Sequence, residues 1–477
     1  MYRIAVILTF ALLFFTNNLV AQTKLSSLDY ESKIYNFAGV NNEDSMLYYY
    51  KMAKKNKVLI NTMQRVLGNY YFYKNDFSKA LSYYEEAFKF DKYNTTLHYN
   101  MTVCNGYLGL TDRENFIAER FNEKQKEYYG IKKHGFINAE IYCGYFANNN
   151  LKKNANLNLS GNDSVFGKIV RTGALKFLYA ATAFKINSRF NVYASINYNG
   201  IGGNTEYQFK TPEPPPNKDT TKKPHPKFDN KKFDYNVKQN IFCTKFDYQI
   251  NFNLKAKVAY TLLNTYYTLK EFEKKKFTDD KKNDRDTIMF RDSATNIYEA
   301  LIGLMLNYRK PHYSIDVRAF YLPFSTKNFL ALPKDSNRMQ ADISIAYFPF
   351  QQYKGYVRFQ ASVLNTEKTN PHLVFTYDAS YKIYRNLWAN VTYQHNNLKN
   401  FIDAEGAIIY NTDDIVKNKF TIKFLYYFGK HIEASVQLGI MNRKGTYQTF
   451  DNERQVLKIN YITYRNNIFI GGLKWIF

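Results

Sequence analysis

From Gly135 to the C-terminus the chain reads as a long series of period-two segments whose connections alternate strictly between very short and long, and few architectures satisfy that pattern. The clearest case sets Phe420, Ile422, Phe424, Tyr426 and Phe428 on one face against Thr421, Lys423, Leu425 and Tyr427 on the other. Gly429-Lys430 follows as a tight turn, and then Ile432, Ala434, Val436, Leu438 and Ile440 alternate with Glu433, Ser435, Gln437 and Gly439. Similar runs occupy 254–262, 313–321 and 357–363. Strands are expected near 135–147, 174–187, 190–200, 233–249, 252–271, 296–310, 312–325, 338–350, 353–366, 372–384, 387–399, 416–429, 431–443 and 464–477. Short connections fall at 187–189, 250–251, Pro311, 351–352, 385–386 and 429–430. Long polar ones fall at about 148–173, 201–232, 272–295, 326–337, 367–371, 400–415 and 444–463. Alternation alone fits either a soluble sandwich or a membrane barrel, but short turns on one side and long loops on the other belong to the barrel. The expected fold is therefore an all-β transmembrane antiparallel up-and-down barrel of about fourteen strands. An even count returns both of its ends to one side of the membrane.

The last strand fits this reading. Phe469, Leu473, Trp475 and Phe477 share one face, Ile470, Gly472, Lys474 and Ile476 the other, and the chain stops on an aromatic ring. A closing strand must seal the sheet and face lipid, which gives a terminal amphipathic strand a purpose. The run Gly472-x-x-Trp475-x-Phe477 resembles the terminal signal by which outer-membrane barrels are recognised for insertion, which would make the barrel-assembly machinery a partner.

The N-terminus has the layout of a secretory signal: Arg3, an apolar run over 4–15 broken by Thr9, and a candidate cleavage point after Ala21. A dozen apolar residues are too few to cross a hydrocarbon core, which needs about twenty. No later stretch is long and apolar enough for a helical span, so any membrane crossing is made by strands. Cys104, Cys143 and Cys243 are odd in number and far apart, which argues against a disulfide framework or a metal site. The formal charge of +25 is spread along the chain rather than gathered on one element, so nucleic acid is not expected as a partner. Basic loops lying against anionic lipid headgroups are a milder reading of the same excess.

Residues from about 26 to 129 follow a different, helical pattern. Leu67, Gly68 and Tyr71 are followed by Ala80, Tyr84 and Ala87 at the spacing of a tetratricopeptide repeat. In such a hairpin Gly68 and Ala80 let two helices approach, Tyr71 and Tyr84 fill the space between hairpins, and Ala87 meets the next one. A shift of 34 residues backwards lands on Met46, Tyr50 and Ala53; a forward shift lands on Ala118 and Phe121 after a turn at 109–112. Three hairpins are expected. Gln64 and Lys92 depart from the pattern, standing where an aromatic residue and a proline are usual. The domain organisation read from the chain is a signal peptide over 1–21, a helical domain over 22–130 and a barrel over 131–477.

No catalytic, cofactor or metal constellation emerges. The seven histidines are scattered, His395 lacks an assignable nucleophile and orienting partner, and Gly200-Ile-Gly-Gly203 follows a strand without opening a helix. The proline-rich stretches 211–216 and 222–226 read as an extended surface loop. Charges that alternate with the apolar face are candidates for the lumen: Lys255, Lys257, Asp316, Arg318 and Asp342, then Arg358, Asp378, Lys382 and Lys423. They suit interior salt bridges or a solute path.

Over nearly the whole mature length the chain resembles tetratricopeptide-repeat outer-membrane β-barrel proteins. Its lysine-, asparagine- and tyrosine-rich style and the Ala21-Gln22 junction are similar to the Bacteroidota versions. The resemblance implies an outer-membrane barrel in contact with lipid, with a periplasmic helical adaptor for a protein or peptide and no cofactor. Two functions compete: a channel or transport-associated protein that recruits a periplasmic partner, and a non-conducting anchor in an export, assembly or surface-polysaccharide system. An outer-membrane hydrolase is a third, weaker reading.

Overall fold

Fourteen antiparallel strands close on themselves in the computed structural model, and the chain's final strand makes the closure. The structure describes residues 25–58, 60–128, 135–148, 165–210, 228–278, 284–323, 337–349, 354–366, 369–409, 414–429, 431–451 and 456–477. The expected export signal and both proline-rich stretches lie outside the described residues. The chain divides into two units, Met1–Leu110 and Thr111–Phe477.

Among the described residues the first unit has five helices: α1 (Ser27–Gly39), α2 (Glu43–Lys55), α3 (Asn61–Tyr73), α4 (Phe77–Phe88) and α5 (Thr95–Tyr107). Their boundaries follow from local chemistry. Ser26, Asn42, Asp76 and Asn94 cap four N-termini with side-chain acceptors, and Ser26 forms a reciprocal capping box with Asp29. Asn41, Asn75 and Gly109 take positive φ just past helix ends, where a left-handed residue turns the chain. Leu67, Ala80 and Tyr84 are fully buried, with Tyr71 and Ala87 nearly so. Gly68 sits beneath the Tyr84 ring, which a Cβ there would meet at 2.4 Å. The Tyr84 hydroxyl donates to Asn69 (2.8 Å) and accepts from Asn100 (2.9 Å), while Tyr71 donates to Glu43 (2.8 Å).

The second unit opens with helices α6 (Thr111–Ala118) and α7 (Glu123–Tyr128) and continues into the barrel. Its strands are β1 (Gly135–Asn148), β2 (Val165–Lys185), β3 (Phe190–Lys210), β4 (Phe228–Gln249), β5 (Leu254–Thr278), β6 (Asp284–Arg309) and β7 (Tyr313–Leu322). Then come β8 (Arg338–Tyr347), β9 (Gly355–Thr366), β10 (Thr369–Tyr384) and β11 (Leu387–His395). Two short strands, β12 (Ile402–Asp403) and β13 (Ile408–Ile409), pair only with each other. The wall resumes with β14 (Ile415–Phe428), β15 (Ile432–Asp451) and β16 (Val456–Ile476). Neighbours in sequence are neighbours in the wall, and β16 pairs with both β15 and β1. Beyond the start of β14, the tip of β15 pairs instead with the first residues of β2, Tyr447 with Ile169 and Asp451 with Val165.

One parity of each strand faces outward and is apolar. Phe420, Phe424, Tyr426 and Phe428 are exposed, as are Leu262, Leu304, Ile343 and Val436 elsewhere around the wall. Trp475 (41% exposed) and Phe477 (55%) continue this belt on the closing strand. A soluble monomer rarely tolerates so continuous an apolar surface, whereas a transmembrane barrel requires one. The inward-facing Gly472 has a separate task. A Cβ there would lie 2.0 Å from the Tyr142 ring on β1, so the glycine makes room for an aromatic side chain across the seam.

Several strands run further than the expected loops allowed. The spans 201–232, 272–295 and 444–463 were expected to be loops, yet β3 and β4 reach Lys210 and Phe228, β5 and β6 reach Thr278 and Asp284, and β15 and β16 reach Asp451 and Val456. The 148–173 span likewise gives way at Val165. Beyond the apolar belt neither face needs to be apolar, so hydrophobic alternation fades while backbone pairing continues. In β5 and β6 the register sets Lys270 against Asp292, 3.4 Å apart, an opposite-charge pair that supports the extended hairpin.

Candidate functional site

The larger correction concerns 400–415. Expected as a polar surface loop, its described part lies inside the barrel. Residues 396–409 enter from the long-loop end, and Leu398, Phe401, Ile402, Ala407 and Ile409 are buried. The segment meets two apolar patches on the inner wall. Ile402 and Ile409 join a cluster with Ile241, Leu263, Leu301 and Phe320; Leu398 and Phe401 join another with Leu364, Val374, Val416 and Met441. Burying these side chains on a wall whose outer face is also apolar stabilises the in-folded position, at about 1.5–3 kcal/mol for each fully buried large side chain.

Polar contacts fix the register of the segment. The Gln340 side chain donates to the Ile402 carbonyl (2.9 Å) and accepts from its N–H (2.8 Å), satisfying the backbone as a neighbouring strand would. Thr261 donates to the Gly406 carbonyl (3.1 Å), and Gln394 donates to Asp403 (3.1 Å). Ala404 and Glu405 both take positive φ before Gly406, a conformation that costs a non-glycine residue about 1–2 kcal/mol. Glu405 offsets that cost: its carboxylate lies 2.6 Å from Lys257 Nζ and 3.0 Å from Lys245 Nζ. Burial opposes the charge on Glu405, but Lys257 and then Lys245 hold its carboxyl well below the usual carboxylate range.

A chain of alternating charge continues from this contact to the short-turn end. Lys257 lies 3.9 Å from Asp247, Asp247 lies 3.6 Å from Lys255, and Lys255 lies 2.5 Å from Asp112 on α6. Helix α6 is further fastened to the short turns by Asn115 with Lys185 (2.7 Å) and Glu119 with Arg189 (2.6 Å). Arg113 stacks its guanidinium over Phe252, 3.9 Å from the ring centre. Burial works to raise the Asp112 pKa, but Lys255 and Lys257 outweigh it and keep the carboxyl below its ordinary value.

The nine charges singled out in the sequence fall on the inward parity of their strands. Lys255 and Lys257 enter the chain just described. Arg318 lies 3.4 Å from Asp342 and Arg358 lies 2.9 Å from Asp378, each pair directly opposed in the register. Asp316 accepts from Ser344 (3.0 Å) and from Asn307. Lys423 rests over the Tyr142 ring, and Lys382 is half-buried near the short-turn end of β10. Sequence reasoning missed Asp112, Lys245, Asp247, Glu405 and Arg443. Arg443 was within reach, since it continues the inward parity of β15. His395 lies on the outer face, its ring stacked near Tyr393. Among the described residues no group of three or more His, Cys, Asp or Glu could hold a metal ion.

Between the in-folded segment and the wall formed by β1–β5 and β14–β16 lies a cavity of about 350 Å³. Phe146, Leu175, Phe177, Ile201, Ile408 and Ile470 make its apolar side, and Lys419, Lys423 and Arg443 stand along the β14–β15 side. Among the described residues Glu140 is the single carboxylate in the lining. It accepts from Tyr193 (3.2 Å) and lies 3.6 Å from Lys474.

Replacing Glu405 with Gln should weaken the docking of the segment by about 1–3 kcal/mol, less than a fully buried pair because the side chain retains some exposure. Trypsin should then cut at Lys399 faster than in the parent protein. The depressed carboxyl adds a sign to the test. Its stabilisation is fully present above the ordinary carboxylate pKa of about 4.3 and is lost only as pH falls through the lower folded value. Protection of Lys399 in the parent should thus be flat from neutral pH to about pH 5 and weaken in stronger acid, while the Gln variant should lack that acid limb.

No protein-family model matches the chain, and no curated protein matches it. Among solved structures it is similar to the toluene transporter TodX of Pseudomonas putida, at 9% identity and a TM-score of 0.40, covering 76% of this chain and 94% of that one. A Pseudomonas aeruginosa FadL homologue gives 8% identity and 0.40, covering 73% and 91%. The outer-membrane protease OmpT of Escherichia coli gives 11% and 0.21, covering 72% and 97%. Likenesses this distant assign neither substrate nor reaction to this chain.

Proposed function

We propose that this protein is an outer-membrane channel whose lumen is closed at rest by its own residues 396–409, and whose short-turn end faces the periplasm. The observation that carries the reading is the in-folded segment, which is tied by Glu405 to Lys245 and Lys257 beside a cavity large enough for a small solute. A passive anchor has little need of a strained, charge-latched segment in its centre. A channel does, because the latch gives a closed state that can be left. The apolar outer belt and the even strand count support insertion in the outer membrane with both ends of the barrel on one side. Comparing planar-bilayer conductance of the intact protein with that of a variant lacking the segment tests the closure. A solidly filled lumen also suits a silent anchor, and that reading prevails if neither protein conducts.

The helical unit is proposed as a docking scaffold of repeat hairpins for a periplasmic protein or peptide, and Gly472, Trp475 and Phe477 as the signal read by the assembly machinery. Removing residues 26–110 should leave barrel insertion intact and strip co-purifying periplasmic proteins. Unchanged partners after that deletion would rule out the scaffold.

A further inference from the structure

Arg443 is only 3% exposed, yet it faces the cavity with no carboxylate ion pair among the described residues. Its one hydrogen bond within the described residues runs from Nε to the Met441 sulfur (3.4 Å), a weak acceptor. Asp414 is engaged by hydroxyl hydrogen bonds from Tyr464 and Thr172. A guanidinium cannot shed its charge by losing a proton, and burying it without an anion is costly. Lys419 and Lys423 add positive charge along the same wall, and Glu140, the lining's one acid, is engaged by Lys474 and Tyr193. Further round the lining, β1–β3 contribute Phe146, Leu175, Phe177 and Ile201. The register sets Arg443 opposite Tyr464 and Phe146 opposite Ile468, so the guanidinium stands nearer the long-loop end than the aromatic wall does.

We propose that the cavity binds a compact amphipathic monoanion of the aryl-carboxylate class, with its carboxylate on Arg443 and its ring body against Phe146, Phe177 and Ile408. The size follows from the volume: a cavity of about 150 Å³ takes one benzene ring, so this one takes roughly two. This inference rests on the reading of the barrel as a solute path and names what the path admits. Anions reach the guanidinium, apolar bodies fill the rest, and neutral polar solutes leave Arg443 uncompensated.

The test is binding of 2-naphthoate and its neutral isostere 2-naphthamide to the full-length protein in nanodiscs, by titration calorimetry against empty discs. Naphthoate should bind the parent about tenfold or more tightly than the amide, the discrimination a charge-assisted guanidinium contact supplies. Arg443→Met should abolish that preference while leaving amide binding within about twofold, and Arg443→Lys should retain part of it. Leu175→Trp, which fills the cavity from the apolar side, should block both ligands. Equal binding of acid and amide by the parent, equal weakening of both by Arg443→Met, or no saturable binding of either would overturn the proposal. Conductance with simple salts is measured without these ligands, so the channel reading can fail or stand separately.

Discussion

A variant in which residues 399–409 are replaced by a short glycine–serine bridge should conduct at least about ten times more current per molecule than the parent, since an emptied fourteen-stranded barrel approaches the width of sixteen-stranded open channels. The excision removes Phe401, Ile402, Ile408 and Ile409, which hold the segment against the two inner apolar patches. It also removes Glu405, leaving Lys245 and Lys257 without that carboxylate in the lumen. The open pore should therefore favour anions over cations, and its thermal stability should fall because the wall loses apolar partners. Reversal potentials across a salt gradient give the sign of the selectivity. A variant that inserts normally and conducts no better than the parent would show that the segment does not close the path.

Substituting Gly472 by Val should prevent the barrel from sealing. The new Cβ would fall onto the body of the Tyr142 ring, close to its attachment point, where rotation of the side chain gives little relief. Overpacking of ordinary cores costs about 1–3 kcal/mol, and a clash this deep at a closing seam should exceed that range. Heat-modifiable migration on gels should disappear, and the double variant Gly472→Val with Tyr142→Gly should recover it if the clash is the cause. Deleting Phe477 probes the same strand differently. Its ring is half exposed near Phe136, and its N–H donates to the Ile137 carbonyl (3.1 Å), so local losses are small, about 1–2 kcal/mol. If Phe477 belongs to the proposed recognition signal, assembly in cells should nonetheless fall several-fold while refolding into detergent stays near normal. Equal effects in both settings would reduce Phe477 to an ordinary packing residue.

The outer surface was readable because lipid imposes one rule on every outward position, and Phe420, Phe424, Trp475 and Phe477 obey it. The interior was harder, since an inward position can face water, a charge partner or a plug. Stretches apolar on both faces held the missing signal. In Tyr260-Thr-Leu-Leu263, Leu262 faces out and Leu263 is buried inside; in Leu301-Ile-Gly-Leu304, Leu301 is buried and Ile302 exposed. A wall apolar on both sides must be covered on both. Phe401, Ile402, Ile408 and Ile409 supply that cover, but within a span bounded by polar residues they read as loop. Glu405 and Lys257 are far apart in sequence, and only the fold brings them together. Arg443 could be placed inward by parity, yet its lack of an acidic partner among the described residues is a property of the neighbouring strands rather than of its own.

The seam between β1 and β16 joins Asn138 to Ile476 and Asn148 to Asn466, so one edge of the first wall strand can be paired only once the last strand is present. Until the chain is complete, one edge of β1 offers unpaired backbone groups to any strand it meets, its own or another molecule's. Contacts of such long sequence separation form slowly, because the chain entropy must be lost before any closing bond is gained. A chain that lacks β16 therefore has no closed state to reach. The interval before the seam seals, rather than the stability of the finished barrel, is when such an edge is most open to aggregation and proteolysis.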